Sequence, residues 1–213
     1  MDDLNTERPG GESHPSYWVA TDEQLLVGLR TGDEQAFVTL VTRYQGSMRR
    51  LARTCVRTSA VADEVVQDTW LAVVRGVDKF EGRSSFKTWL MRILMNRART
   101  TGIREARSEA ICEASAVDQS RFDHSGQWTS PPQQWTEDID DRVRAGEMAA
   151  QIQTAMEDLP PQQRVVVTLH DMEGLTSKEV CTVLSISESN QRVLLHRGRS
   201  RLRQALETEF GAE

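Results

Sequence analysis

The chain has 213 residues, 38% of them hydrophobic and 27% charged, and a formal net charge of -6. That length suits one large domain or two small ones, each with a modest core. No run of about eighteen apolar residues exists and the first twenty residues are acidic and polar, so neither a membrane span nor a signal peptide is expected. The three cysteines, Cys55, Cys112 and Cys181, are isolated from one another and lack histidines at zinc spacing, which argues against structural disulfides and a metal site.

Residues 1–20 carry Gly10-Gly11, two prolines and little periodicity, and read as a mobile tail. From Thr21 to about Arg107 aliphatic residues recur at three and four, the helical period, so a first helical domain is predicted over 21–107. Within it, Ala62, Val65, Val66, Thr69 and Val73 share one side of a helix, while Asp63, Glu64, Gln67 and Asp68 form a compact polar face on another. An ordinary solvated face has the same pattern. In the next helix Phe86, Leu90 and Ile93 make a buried side, and Arg92, Asn96 and Arg99 line up opposite, with Trp89 on the boundary. An aromatic beside a basic and amide stripe can stack an unpaired base and hold adjacent phosphates, although boundary aromatics more often simply pack.

Periodicity lapses over 108–144, where Pro131-Pro132, Trp128 and Trp135 interrupt a polar stretch, and a flexible connector is expected. The charges are unevenly spread. Residues 108–148 hold nine acids against three arginines, whereas 92–107 holds five arginines and one acid, and 192–203 holds five arginines and none. Local basic patches matter more for nucleic-acid binding than the acidic sum.

A second, smaller helical domain is predicted over 145–209, and the whole chain is read as all-α. Thr176-Ser177-Lys178-Glu179 fits a capping box that starts a short helix with Val180, Val183 and Leu184 on its apolar face. Ser185-Ile186-Ser187 breaks it after two turns, and a longer arginine-rich helix follows from about Glu188, the layout of a helix-turn-helix. On that second helix Gln191, Leu195, Gly198 and Leu202 form the packing side. Arg192, His196, Arg199 and Arg203 form another stripe, flanked by Asn190, Val193 and Arg197.

These segments resemble regions two and four of the extracytoplasmic-function (ECF) sigma factors of bacterial RNA polymerase. The resemblance rests on Asp63-Glu64-Val65-Val66-Gln67-Asp68-Thr69-Trp70, Phe80-Glu81-Gly82, Phe86-Lys87-Thr88-Trp89-Leu90-Met91-Arg92-Ile93 with Asn96-Arg97, Leu159-Pro160-Pro161-Gln162-Gln163-Arg164, Glu173-Gly174-Leu175-Thr176, and Leu195-His196-Arg197-Gly198-Arg199. It implies a region 2 helical bundle and a region 4 helix-turn-helix joined by a linker. It implies that Asp63, Glu64, Gln67 and Asp68 dock on core RNA polymerase, whose largest and second-largest subunits are the expected partners. By the same resemblance Trp89, Arg92, Asn96 and the loop from Phe80 to Ser85 would recognise the promoter near minus 10, and Asn190, Arg192, Val193, His196 and Arg197 near minus 35; Arg99 and Arg199 join these two sets by their place on the same basic stripes. An anti-sigma factor is a further candidate partner, and no cofactor is implied. The pattern departs from the family at Gln191, where an apolar residue is common, at Leu194, where arginine is common, and at Gly198, where alanine is usual.

Nucleotide-binding, nucleophile-elbow and zinc-protease motifs are absent, so an enzyme is disfavoured. A free-standing helix-turn-helix regulator normally reads two half-sites as a dimer, and no heptad zipper is present. A purely structural adaptor leaves two arginine clusters unexplained.

Overall fold

The computed structural model describes residues 20–112 and 151–210, with side chains over 20–107 and 151–208. The expected tail, apart from Ala20, and most of the connector, with Trp128 and Trp135, lie outside the described residues. All regular secondary structure among the described residues is helical, as expected of an all-α chain.

The first domain contains α1 (Asp22–Arg30), α2 (Glu34–Arg53), α3 (Ser59–Gly76) and α4 (Phe86–Cys112), with a 3-10 turn at Val77–Lys79. Side-chain caps set three of the starts: Thr21 and Gln24 form a capping box at α1, Asp33 accepts amides at α2, and Thr58 caps α3. Leu25, Leu40, Met48, Leu51, Leu90 and Leu94 are fully buried in the resulting core. An aromatic relay runs along its edge, with Tyr44 against Phe86, Phe86 against Phe80, and Phe80 against Trp89. Arg30 pins the loop after α3 by donating to the carbonyl oxygens of Val77 at 3.4 Å and Phe80 at 2.6 Å.

Helix α4 runs to Cys112, past Arg107 where the periodicity lapses. It also buries more than the single face expected from Phe86, Leu90 and Ile93: Thr88, Met91, Met95 and Ala98 are buried as well. The reason is non-local, because α4 packs on α3 and α2 and also meets the second domain. A Cβ at Gly102 would lie 2.2 Å from the backbone oxygen of Cys55. Mid-helix Gly→Ala usually gains up to about 1 kcal/mol, but a backbone carbonyl cannot rotate away. Gly102→Ala is therefore expected to destabilise by about 2 kcal/mol and lower the melting temperature by roughly 10 °C. An unchanged or raised melting temperature would contradict this close approach.

In the second domain residues 151–157 are helical (α5), followed by α6 (Pro161–Val167), α7 (Ser177–Leu184) and α8 (Glu188–Phe210). Pro161 opens α6, where its missing N–H costs nothing. Helix α6 then widens into a π turn, Thr168–Met172, closed by Glu173 N–H donating to Thr168 O at 2.9 Å. The capping box read from Thr176 and Glu179 starts α7. Ser185 ends it in the left-handed region (φ 55), and α8 follows after two residues. This is a helix-turn-helix, with Gly198 letting α8 approach α6: a Cβ there would meet Val167 Cγ2 at 2.7 Å.

Candidate nucleic-acid interface

Three surfaces gather the residues singled out in the sequence. On α3, Glu64, Gln67 and Asp68 are exposed and Asp63 is half-buried. Asp63 pairs with Arg49 Nε at 2.6 Å and Asp68 with Arg97 at 3.7 Å, whereas Glu64 forms no ion pair among the described residues. At 100° per residue, Leu71 and Val74 fall within the same stripe, and they are 53% and 47% exposed. The polar face thus contains an apolar strip that the sequence reading passed over. Acid-rimmed apolar residues of this kind mark a partner surface better than the acids do.

On α4, Arg92, Asn96 and Arg99 are all exposed on the side away from the core. Trp89 is half-buried, its ring 5.0 Å from Phe80 and 6.0 Å from Phe86 between centroids. The aromatic neighbours hold the indole in place and leave part of it accessible, so packing in the domain leaves room for the stacking expected from the sequence. Asn96 also lines a shallow recess of about 400 Å³ with Asp68, Ile93, Arg97 and Arg104, between α3 and α4. Arg99 is not free: its Nη1 donates to the Leu184 carbonyl at 3.1 Å, at the end of α7.

On α8, Asn190, Arg192, Val193, His196, Arg197 and Arg199 are all exposed. Val193, 46% exposed beside Asn190 and Arg197, offers the apolar contact that a thymine methyl takes in the major groove. Arg192 pairs with Glu188 at 3.7 Å. Arg199 forks onto Asp171, with Nε to Oδ2 at 2.9 Å and Nη2 to Oδ1 at 2.5 Å. Burial works against ionisation of Asp171, but hydrogen bonds from Arg199 and His170 and their charges outweigh it and lower its pKa. Arg199 thus braces the π turn in this geometry and has less freedom to meet a phosphate than Arg197.

Opposite this face, Leu195 and Gly198 are buried and Leu202 is half-buried, as the helical wheel requires. Gln191 is fully buried too, and neither Nε2 nor Oε1 of its amide has a hydrogen-bond partner among the described residues. An unsatisfied buried amide costs about 1–3 kcal/mol. Gln191→Leu is therefore expected to raise the melting temperature of this domain by roughly 5 °C; a fall would show that the amide is held by contacts of its own.

No group of His, Cys, Asp or Glu among the described residues is arranged to hold a metal ion. No helix among them is long and apolar enough to cross a membrane.

Comparison with known proteins agrees with the two-domain helical fold. The sigma-70 region 2 model matches residues 40–108 and the sigma-70 region 4 model matches residues 149–202, together more than half of the chain. The chain is 27% identical over 179 residues to the ECF RNA polymerase sigma-E factor of Salmonella typhimurium, covering 84% of this chain and 91% of the relative. It is 29% identical over 191 residues to the RNA polymerase sigma-H factor of Pseudomonas aeruginosa, covering 87% and 94%. The fold is similar to that of CnrH in complex with the cytosolic domain of CnrY, with a TM-score of 0.58 and 22% identity, covering 88% of this chain and 97% of that one. The helical fold and the two family matches define a two-domain promoter-recognition protein. The chain belongs to the sigma-70 family, in its ECF branch.

Proposed function

We propose that the chain is a cytoplasmic, non-enzymatic initiation subunit that carries core RNA polymerase to promoters. Phosphoryl transfer belongs to the polymerase. Docking runs through the α3 stripe, where Glu64, Gln67, Asp68 and half-buried Asp63 surround Leu71 and Val74. Near minus 10, Trp89 stacks a base turned out of the separating strand while Arg92, Asn96 and Arg99 hold its flanks, with Phe80 backing the indole. Capturing an extruded base offsets part of the few kcal/mol that unstacking costs. Near minus 35, Asn190, Val193, His196 and Arg197 read base edges, and Arg192 and Arg199 serve the phosphates once released from Glu188 and Asp171.

The single observation that carries this reading is the half-exposed Trp89 framed by Phe80 and by an exposed Arg92–Asn96 edge, on a helix one step from a separate acidic-apolar docking strip. A free-standing duplex regulator has no use for that combination. Regulation by an anti-sigma factor in trans also belongs to this reading. The test is binding to a fork DNA that is double-stranded upstream and single-stranded across the minus-10 element. Core polymerase and the chain together are expected to hold it, and neither alone; equal retention by the chain alone would overturn the reading.

A further inference from the structure

The loop between α3 and α4 is fastened from α1, a helix that the proposed function leaves unused. Leu25, Leu26 and Leu29 bury α1 in the core of the first domain, so its last turn is a rigid base. Arg30 leaves that turn, where a cation suits the negative end of the helix. Its guanidinium forks onto main-chain acceptors 50 and 47 residues away, Nη2 to Phe80 O at 2.6 Å and Nε to Val77 O at 3.4 Å. It forms no ion pair among the described residues. A charge that could hold a carboxylate is spent instead on fixing peptide planes.

Phe80 is thereby held through its backbone and its ring together. Its carbonyl is bound by Arg30, and its ring packs on Trp89 with centroids 5.0 Å apart and on Phe86 at 6.3 Å. Phe80 N–H donates to Val77 O at 3.1 Å, so the same guanidinium braces both carbonyls of this 3-10 turn. Five residues on, Ser85 Oγ accepts from the Thr88 N–H at 3.2 Å and closes the loop onto α4. The tip between these anchors has weaker ties. Gly82 lies in the left-handed region (φ 70), and the ion pair at the tip is internal, exposed Arg83 with exposed Glu81 at 2.5 Å.

We infer that Arg30 is a positioning residue for strand capture, a clamp that holds Phe80 and the loop tip in the geometry that receives the extruded base. The inference rests on the minus-10 role proposed above. Arg30 acts through Phe80 and Trp89 rather than on the base itself. A loop that is already ordered loses less freedom when the base enters, so the clamp favours the step in which the strands separate over the first encounter with duplex.

The test is Arg30→Met, which keeps an aliphatic stem and removes the fork. It is made in holoenzyme assembled from core polymerase and the full chain, on a promoter taken from mapped transcript starts. Stopped-flow detection separates initial promoter affinity from the isomerisation rate, and both are measured over a range of salt. The isomerisation rate is expected to fall roughly 10-fold, the lower end for a hydrogen bond to a charged group, with initial affinity and its salt slope unchanged. Arg30→Lys, which can hold one carbonyl but cannot fork, should recover part of the rate. In a Trp89→Ala background Arg30→Met should slow opening by less than about twofold more, because both act on one captured base. Full additivity would mark a general structural loss and overturn the clamp, as would a parental isomerisation rate in Arg30→Met. A fall in initial affinity with a salt slope smaller by about 1 would also overturn it, making Arg30 a phosphate contact. Slow opening by Trp89→Ala beside normal opening by Arg30→Met rejects the clamp alone; normal opening by both rejects the minus-10 reading as well.

Discussion

Replacing Trp89 by alanine is expected to slow open-complex formation by roughly 10- to 100-fold, the loss of one stacked base at ~1–3 kcal/mol, while core binding stays within about twofold. The indole packs in the first domain and, in the proposed role, stacks a base, and this substitution separates the two. Its contacts with Phe80 and Phe86 belong to the aromatic relay at the edge of the first domain, and its accessible part faces solvent next to Arg92 and Asn96. The proposed docking strip on α3 is a different surface, so polymerase affinity has no reason to change. Trp89→Phe keeps a ring in the relay and a smaller π face, and should recover most of the opening rate. The measurement is stopped-flow or permanganate detection of strand opening beside a core-binding titration. Loss of polymerase binding with normal opening by the residual complex would sink the role given to Trp89.

Leu71→Glu has the second large expected effect, a fall in affinity for core polymerase of roughly 10- to 100-fold, the range for a central interface residue worth about 1–3 kcal/mol. Leu71 is 53% exposed and contributes little to the core, so the melting temperature should hold. Its neighbours in the stripe set the expectation. Asp63 and Asp68 already have intramolecular partners in Arg49 and Arg97, so their charges are partly spoken for before any partner arrives. Exposed ion pairs of that kind contribute little. The apolar strip is what a partner can desolvate with net gain, and a carboxylate at its centre removes that gain. Unchanged core affinity in Leu71→Glu, measured by fluorescence anisotropy, would move the docking surface elsewhere.

Much of this was readable from local pattern. Thr176 and Glu179 announced the start of α7, and the wheel of α8 placed Leu195 and Gly198 inward and Asn190, His196 and Arg197 outward, because capping and helical periodicity are local physics. Gly198, unusual against the family pattern, is explained by a non-local contact, the close approach of α8 to Val167 on α6.

The missing parts share a cause in contacts between residues distant in sequence. Met91, Met95 and Ala98 form a second buried face of α4 because α2 and α7 pack against that helix, which no local pattern shows. The π turn at Thr168–Met172 has no clear signature in Thr-Leu-His-Asp-Met, yet Asp171 within it engages Arg199, and Glu173 just beyond it reaches Arg50 and Lys87. Arg99 and Arg199 were chosen by charge and spacing alone, and that choice could not see that both already had acceptors. Leu71 and Val74 were missed for the opposite reason: aliphatic residues in a helix are read as core by default, although their angular position among Glu64, Gln67 and Asp68 was available from the sequence.

The most direct test of the central claim is transcription from fragmented bacterial DNA by core polymerase, with and without the purified chain, mapping the new transcript starts. The account predicts discrete starts that appear only when the chain is present and that share two short upstream elements near minus 10 and minus 35. No new starts and no core binding, together with tight duplex binding by the chain alone, would contradict it.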